Sequence, residues 1–514
     1  MNEVRKIRSV LLLFLPAALM LGGLAVAQGQ REVVVGLAGD PPGGDPHKAR
    51  GAQGGHILFN LHAGLVELSG DMERVSPMLA SSWEQLDALT WRFQLREGLA
   101  FHNGEPFNAA AVEYSFKRLM DPAAVRLNSD FPNFEAIEAV GDYVVEVRLK
   151  APVPSFMAVL SGFLVVPPQY TSSVSEEQYA LNPVGIGPYK FVSWQPGQPF
   201  VMEAFDGYWA GRPALDRLVF RPIPEASTRL AELLAGTVDI IAAPNYDDLK
   251  QIDGNAATRV EAAPGRRTVF LNMDHIAGLE PLQDARVRQA IAHAVDRQLL
   301  IDTLLGGYGE PLATLWRADM FGYDPTLEPY AYDPDEAMRL LSEAGYPDGF
   351  AVRMLTSEIV INKGLEVAEA VASMLTDVGI VTEVVVVPDQ VRRNMYIANV
   401  NRDHLQPGEV EPMWLANWGA GIPDATSALL GLLHTSGTSS FTRIPELDAR
   451  IDAFASEGDE AVRVGMAHDL QDYLYTEMLQ VPLFLQSNLY GVNERLDWSA
   501  RKDEYVLGMD ISIR

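Results

Sequence analysis

The sequence predicts a large protein of mixed α/β class. Segments with the period of strands alternate with segments with the period of helices along nearly the whole chain of 514 residues, and this alternation is typical of α/β domains. Neither an internal repeat nor a low-complexity segment interrupts it. The length allows two or three domains of roughly 100–200 residues each, and a hydrophobic content of 48% is ordinary for a globular protein.

The N-terminal segment has the features of a cleaved signal peptide. Three basic residues lie within positions 5–8, and an apolar stretch follows over positions 10–24. Ala25-Val26-Ala27 supplies the small-x-small pattern of a cleavage site, so we expect cleavage before Gln28. A membrane anchor would need roughly 20 apolar residues, and this stretch is shorter. We therefore expect residues 1–27 to be removed.

Several segments predict strands from the spacing of their apolar residues. Residues 32–37 form a continuous apolar run typical of a buried strand, whereas residues 91–96 alternate between apolar and polar types, which is the period of a half-buried strand. Further strand candidates are Tyr143–Leu149, Leu218–Phe220, Thr268–Met273 and Val381–Val387.

Helix signals lie between the strand candidates. Asp333 is a good N-cap because Pro334 follows at the first helical position and an acid follows at the third. Gly345 is placed to end this helix. Asp284 caps a second helix, in which apolar residues recur every four positions. The polar, irregular segment Asn399–Pro412 predicts an exposed loop.

The composition and motifs exclude several kinds of reactive site. The chain has no cysteine, which excludes disulfides, thiolate metal sites, cysteine nucleophiles and a lipid anchor on an N-terminal cysteine. It contains no G-x-S-x-G elbow, no H-E-x-x-H pair and no phosphate-binding loop. The nine histidines are scattered, and His56 and His62 are too far apart to share one helical face. We therefore expect no enzyme activity, no cofactor and no metal site.

The charge balance narrows the possible partners. The chain has 40 Lys and Arg against 68 Asp and Glu, a net charge of −28. A surface of this sign repels phosphate backbones, so nucleic acid is not an expected partner. The charge promotes solubility and carries no information about the fold.

A series of short motifs gives the sequence its most specific character. In chain order they are 79–84 (LASSWE), 90–93 (TWRF), 101–107 (FHNGEPF), 185–191 (GIGPYKF), 206–209 (DGYW), 233–240 (LLAGTVDI), 286–291 (RVRQAI) and 294–297 (AVDR). The first three predict a strand, a turn and a strand before a helix from Ala109. Together the motifs resemble those of the bacterial extracellular solute-binding proteins of family 5, the peptide/nickel/opine group. The resemblance covers essentially the whole mature chain.

The resemblance implies a type II periplasmic-binding-protein fold, in which a hinge joins two lobes and the first lobe carries an extra subdomain. The chain is expected to cross between the lobes near Val269 and Val481. By the family's chain order, we expect lobe I to hold residues 28–50, 190–268 and 482–514, the subdomain residues 51–189, and lobe II residues 269–481.

The resemblance also implies a function. Such a protein captures a small solute, here most simply a peptide or peptide-like compound, in the cleft between its lobes and delivers it to the membrane permease of an ABC importer. We expect a periplasmic monomer without a lipid anchor. A non-peptide ligand (an opine, a glycoside or a metal chelate) and a use of the same fold as a sensor or chaperone are the alternatives.

The choice of ligand is expected to depend on residues 414–424. Peptide-binding relatives resemble W-x-x-D here, and the acid pairs with the α-ammonium group of the peptide, since a buried cation needs a charged partner. Trp418 matches the tryptophan, but Gly421 stands in place of the acid. Either Asp424 takes over the cation, or the ligand lacks that ammonium group. Asp424 is equally suited to cap a helix over residues 425–433.

Other candidate ligand-binding residues lie in the same segment and near the N-terminus. Trp418 suits a pocket wall because an aromatic platform fits many small ligands; Trp414 and Asn417 are further candidates in that segment. Asp45 and His47 belong to a D-P-H sequence that resembles a loop facing the cleft in the family. His47 is expected either to touch the ligand or to form a turn.

Overall fold

A computed structural model describes residues 31–49, 51–121, 131, 133–276, 278–358, 360–392 and 412–514. The predicted signal peptide and nearly all of the predicted loop Asn399–Pro412 lie outside the described residues. No helix in the described ranges is long and apolar enough to span a bilayer.

Strands and helices are interspersed along the described chain, often as runs of two or more elements of one kind. The strands are β1 Glu32–Leu37, β2 Val66–Leu68, β3 Val75–Pro77, β4 Ala80–Gln85, β5 Thr90–Leu95, β6 Phe134–Gly141, β7 Val144–Leu149, β8 Tyr189–Ser193, β9 Phe200–Ala204, β10 Arg217–Pro222, β11 Ile240–Ala242, β12 Thr258–Met273, β13 Gly309–Pro311, β14 Phe350–Thr356, β15 Ile380–Val386, β16 Met413–Gly419, β17 Gln480–Asn493, β18 Leu496–Asp497 and β19 Ser512–Ile513. The helices are α1 Gly51–Leu61, α2 Ala109–Met120, α3 Phe156–Leu160, α4 Pro168–Ser173, α5 Glu176–Leu181, α6 Ala226–Leu234, α7 Leu249–Asp253, α8 Ala285–Ala294, α9 Arg297–Leu304, α10 Pro334–Glu343, α11 Gly364–Asp377, α12 Thr426–Leu432, α13 Pro445–Ser456 and α14 Glu460–Glu477.

The largest sheet consists of two groups of strands that two long strands connect. Among the described residues it has 11 strands, in the order β15-β14-β16-β12-β17-β11-β1-β10-β9-β8, with β13 paired to β17 beside that order. We call strands β1 and β8–β11 the β1 end, and strands β14–β16 the β14 end. The two long strands between them, β12 and β17, run antiparallel over most of their lengths. β12 also pairs with β16 of the β14 end, and β17 also pairs with β11 of the β1 end, so the two long strands connect the ends.

The apolar pattern explains why β1 lies inside the sheet. Val33 and Val35 are completely buried, and β1 pairs in parallel with β10 on one side and β11 on the other. A continuous apolar run suits a parallel strand that is covered on both faces. The predicted strand over residues 32–37 is confirmed at both of its ends.

The predicted ends of two helices are also confirmed. The Asp333 side chain accepts a hydrogen bond from the Glu336 amide at 3.0 Å, and α10 begins at Pro334. Gly345, beyond the end of this helix, has a φ of 96°, a conformation that favours glycine. The Asp284 carboxylate accepts the Arg286 amide at 2.9 Å at the start of α8.

A second sheet forms a separate layer with its own core. Strands β4, β5, β7 and β6 pair in that order and pack with α2 around a cluster rich in phenylalanine, which extends from Ala63 to Ile186. The predicted subdomain 51–189 encloses this cluster. The exact bounds of the subdomain and of the two lobes stay predictions.

Candidate ligand-binding site

A bulge interrupts the pairing of the two long strands. Pro264 lies opposite Ser487 and Arg267 lies opposite Gln486, so Gly265 and Arg266 have no partner across the ladder. A Cβ atom on Gly265 would lie 2.2 Å from the carbonyl oxygen of Gln486, so only glycine fits. Because a bulge redirects the side chain beside it, Arg266 points away from the regular ladder.

The Arg266 side chain is buried next to the C-terminal segment. The residue is 9% exposed, and its guanidinium carbon lies 5.5 Å from the centre of the Tyr505 ring. Its Nε lies 3.5 Å from Oε1 of Glu504 but has no hydrogen-bond partner among the described residues. Burial lowers the pKa of Arg266, yet the neighbouring Tyr505 and Glu504 raise it, and the net pKa lies above the ordinary value. The side chain therefore carries a positive charge.

Glu504 is shared between two arginines. Arg267 Nη2 donates to its Oε2 at 3.0 Å, and Arg267 Nε lies 3.0 Å from its Oε1. Glu504 has a φ of 71°, an uncommon conformation for a residue with a side chain, and Tyr490 Oη donates to its carbonyl oxygen at 2.7 Å. This geometry holds the Glu504 carboxylate against Arg267.

The rings of His56 and Tyr505 pack near the β1 end, and the Tyr505 ring lies next to Arg266. His56 of α1 stacks on Phe220 of β10, and Tyr505 stacks on Phe59 with ring centres 5.0 Å apart. The Val506 amide donates to His56 Nδ1 at 3.0 Å, so the ring proton is on Nε2. Burial, with Arg266 nearby, lowers the pKa of His56 to about 3. His56 is therefore neutral, with Nε2–H as a donor.

The β14 end contributes the segment at the end of β16. Trp418 lies opposite Thr268 of β12, and its half-buried indole packs so closely on Gly431 that a Cβ there would lie 2.7 Å from the ring. The indole Nε1 is buried without a hydrogen-bond partner among the described residues. A Cβ atom on Gly421 would lie 3.8 Å from Arg266 Nη1. Gly421 therefore faces the guanidinium group directly.

Loops that belong to the two ends of the sheet also touch. Lys363 Nζ donates to Asp247 Oδ2 at 2.6 Å, and Asn362 Nδ2 donates to the Pro244 carbonyl at 3.2 Å. Pro244 and Asp247 follow β11, whereas Asn362 and Lys363 precede α11. The structure therefore has the two ends in direct contact.

The structure places Trp414 and Asn417 in different surroundings from Trp418. Trp414 is 1% exposed and packs on Phe441 with ring centres 4.3 Å apart, inside an apolar cluster with Leu355. Asn417 Nδ2 donates to the Val360 carbonyl at 2.6 Å and so fixes the loop before α11.

Both carboxylate oxygens of Asp424 have partners within the protein. Oδ1 accepts the Thr426 amide at 2.8 Å at the start of α12, and Oδ2 accepts Arg463 Nη2 at 2.8 Å. The two charged side chains are only 3% and 4% exposed. The helix begins at Thr426 with Ala425 as its N-cap residue, so Asp424 bonds the first turn from one residue before the observed cap position. Its ligand-binding role stays a prediction.

Asp45 and His47 form a closed cluster with α2. Arg118 donates from Nη1 and Nη2 to the two carboxylate oxygens of Asp45, at 2.9 and 2.5 Å, and from Nη1 to His47 Nδ1 at 2.7 Å. His47 Nε2 then donates to the Leu164 carbonyl at 3.0 Å. Burial, with Arg118 nearby, lowers the pKa of His47 to about 4. The contacts of this cluster come from α2 and from Phe163 and Leu164, between α3 and α4. Among the described residues, none of these bonds involves residues 413–424.

With this geometry in place, comparison with known proteins identifies the family. The profile of the bacterial extracellular solute-binding proteins, family 5 (middle), matches residues 74–440. The chain belongs to this family. The predicted family, the type II fold with two lobes and the solute-binding function are thereby confirmed.

Several members of family 5 are similar over most of this chain. The glutathione-binding protein GsiB of Pectobacterium atrosepticum is 28% identical over 444 residues, which are 84% of each chain. The structure of HbpA2 from Haemophilus parasuis superposes with a TM-score of 0.82 at 23% identity, over 94% of this chain and all of that one. The structure of AgaA from A. tumefaciens R10 in complex with agropinic acid has a TM-score of 0.76 at 25% identity, over 94% of this chain and 99% of that one.

The relatives of this solute-binding protein are binders rather than enzymes. In the described ranges, no group of three or more His, Asp or Glu side chains is placed to hold a metal ion. Sequence reasoning missed Arg266, His56 and Tyr505. The one local signal for Arg266 was Pro264-Gly265 inside an otherwise regular strand pattern, because an isolated glycine in a strand often marks a bulge.

Proposed function

We propose that this protein captures a small peptide-like solute beside the hinge strands β12 and β17 and delivers it to the permease of an ABC importer. The observation that carries the proposal is the meeting of both ends of the sheet at Arg266. Tyr505 approaches from the side of the β1 end, with His56 next to it, and Gly421 approaches from the β14 end. A ligand at this place touches both ends at once.

Closure around the ligand supplies the mechanism. The bulge at Gly265 and Arg266 interrupts the β12–β17 ladder, and this is where we place the bend that lets the two ends separate. When they close, water leaves the cleft and the hydrogen bonds to the ligand strengthen as the local dielectric falls. The ligand shifts the population toward the closed form, which is the form that the permease recognises.

The relatives support a small polar ligand. GsiB is named for glutathione, a tripeptide, and AgaA was solved with agropinic acid. We assign the wall of the pocket to Trp418, because this half-buried residue lies at the end of β16, three residues before Gly421, and its indole rests on an apolar cluster that includes Phe270. Asn417 acts indirectly, through its bond to Val360.

The family's description as extracellular supports export of the chain. We propose that residues 1–27 are removed and that the mature protein works as a monomer in the periplasm. Both proposed lobe crossings, near Val269 and Val481, fall within β12 and β17, the two strands that join the ends of the sheet.

Ligand capture is tested by native mass spectrometry of the exported protein and by calorimetry with peptides of two to five residues. We expect a bound mass that denaturation releases, and a peptide that Trp418→Ala binds roughly 10-fold more weakly, while Trp209→Ala, a matched change on another surface, binds it normally. A protein that carries and binds no small solute would refute the proposal. Stimulation of ATP hydrolysis by the permease in vesicles would establish transport rather than sensing.

A further inference from the structure

The bulge at Gly265 and Arg266 brings two arginines next to one carboxylate. Arg266 and Arg267 face a single carboxylate, that of Glu504, and Arg267 holds it at 3.0 Å while Arg266 approaches no closer than 3.5 Å. Among the described residues, no other carboxylate pairs with Arg266. Arg267 is 37% exposed, so solvent screens part of its charge. The Arg266 side chain is only 11% exposed, and a buried charge is stable only with a partner.

The other charges nearby are already balanced. Asp503 is held by Arg501, whose Nε donates to it at 3.0 Å. Arg317, whose Nη1 donates to the Arg266 carbonyl at 3.2 Å, pairs with Asp319 at 2.9 Å. Neither Asp503 nor Asp319 is therefore available to neutralise the Arg266 guanidinium.

Donors lie around the Arg266 guanidinium group. His56, whose ring centre lies 6.4 Å from that of Tyr505, carries its proton on Nε2 because Nδ1 already accepts a bond from the Val506 amide. A guanidinium fork matches a carboxylate in shape and charge. The Tyr505 hydroxyl, a neutral group, already hydrogen-bonds to Arg266, so the site favours an anion over an ammonium group.

Gly421 leaves the space next to the Arg266 guanidinium without a side chain. A Cβ there would lie 3.8 Å from Nη1, so a carboxylate side chain at position 421 would project toward the guanidinium group. Such a side chain would neutralise Arg266. Glycine leaves the guanidinium to the ligand.

We infer that the cleft anchors its ligand through a carboxylate of the ligand held by Arg266, with His56 as a second donor, so that the ligands are small peptide-like acids. This inference rests on the proposed function because it names the ligand chemistry of the same site. The anchor is thus the acidic end of the ligand rather than its ammonium end.

The test measures binding of two matched pairs of probes by calorimetry: glutathione against its diethyl ester, and Ala-Ala-Ala against its C-terminal amide. We expect the wild-type protein to bind at least one acid roughly 30-fold more tightly than its masked form, because removing one partner of a buried, hydrogen-bonded charge pair costs about 2 kcal/mol or more. Arg266→Gln should abolish this preference. Arg339→Gln, the same change on the exposed face of α10, should keep it.

Two further variants keep the test decisive if Arg266→Gln does not fold. Arg266→Lys retains the charge but loses the fork, so the preference for the acid should survive at reduced affinity. Gly421→Asp places a carboxylate beside Arg266 and should remove the preference.

Equal binding of an acid and its masked form by the wild-type protein, or an unchanged preference in Arg266→Gln or Gly421→Asp, would overturn the inference and leave the proposed function standing. Absence of binding to all four probes would overturn the inference, and the proposed function would fall with it only if the exported protein also carries no solute in native mass spectrometry.

Discussion

Replacing Asp424 with asparagine tests whether this carboxylate stabilises the fold or binds the ligand. Asparagine is as good a cap as aspartate, so the bond from the Thr426 amide should survive. The bond from Arg463 loses its charge partner, although Arg463 still donates to the Phe454 carbonyl at 3.1 Å and to Thr426 Oγ1 at 3.1 Å. The substitution therefore isolates the ion pair.

The expected magnitude follows from burial. Both side chains of the pair are less than 5% exposed, and removal of one partner from a buried pair costs about 3–5 kcal/mol. Because Arg463 keeps two hydrogen bonds and lies over the Phe454 ring at 4.2 Å, we expect the lower end, a loss of about 3 kcal/mol in the free energy of unfolding.

Urea unfolding followed by circular dichroism measures this loss, and calorimetry on the same samples measures ligand affinity. Asp459→Asn is the control, since Asp459 caps α14 through the Val462 amide at an exposed site, and its change should stay within about 0.5 kcal/mol. The reasoning is refuted if Asp424→Asn unfolds at the wild-type urea concentration while losing affinity for the ligand, because the carboxylate would then serve the ligand and not the fold.

Two other predictions concern closure and pH. Lys363→Met removes the contact with Asp247 between the two ends of the sheet. Because Asp247 is 74% exposed, the pair contributes about 0.5–1 kcal/mol, and stopped-flow fluorescence should show ligand dissociation roughly 2–5-fold faster. Lys117→Met, on the outer face of α2, is the control and should leave the dissociation rate unchanged. Burial lowers the pKa of several histidines to about 3 or 4, whereas the pKa of histidine in an unfolded chain is about 6.5. The free energy of unfolding is therefore highest above about pH 6.5. It falls as the pH drops toward 4, because the unfolded chain binds protons there and the folded chain does not. The melting temperature in scanning calorimetry should therefore be lower at pH 5 than at pH 7, and the difference should shrink in His47→Gln; a melting temperature independent of pH over this range would contradict the account. The histidines are His47, His56, His62, His102 and His275.

Local signals were enough to predict most elements of the fold. The N-cap at Asp333 and the glycine at Gly345 set the ends of α10 because caps act within a few residues of the backbone that they satisfy. The continuous apolar run of β1 predicted a buried strand for the same local reason. The predicted strand Thr268–Met273 was too short, because β12 begins at Thr258 and its first half contains polar residues that only the pairing with β17 stabilises.

The site could not be predicted in the same way, because its contacts join distant parts of the chain. Arg266 is placed by a bulge that depends on the register between β12 and β17, and no local pattern contains that register. Asp45 is paired by Arg118 of α2, a contact that its own loop does not reveal. Gly421 was recognised as unusual from the sequence, but the sequence does not show that the Arg266 guanidinium group lies opposite it.

The position of β17 in the sheet has a consequence for the order in which this protein can be assembled. β17 is the strand that joins β12 to β11, and it consists of residues 480–493 in a chain of 514 residues. A chain that leaves the ribosome or a translocation channel with its N-terminus first holds the two halves of the sheet unjoined until these residues emerge. β17 is therefore synthesised late, and only then can the two halves of the sheet pair through it. A truncated product that lacks β17 would have two unpaired sheet edges, which proteases and other chains could attack.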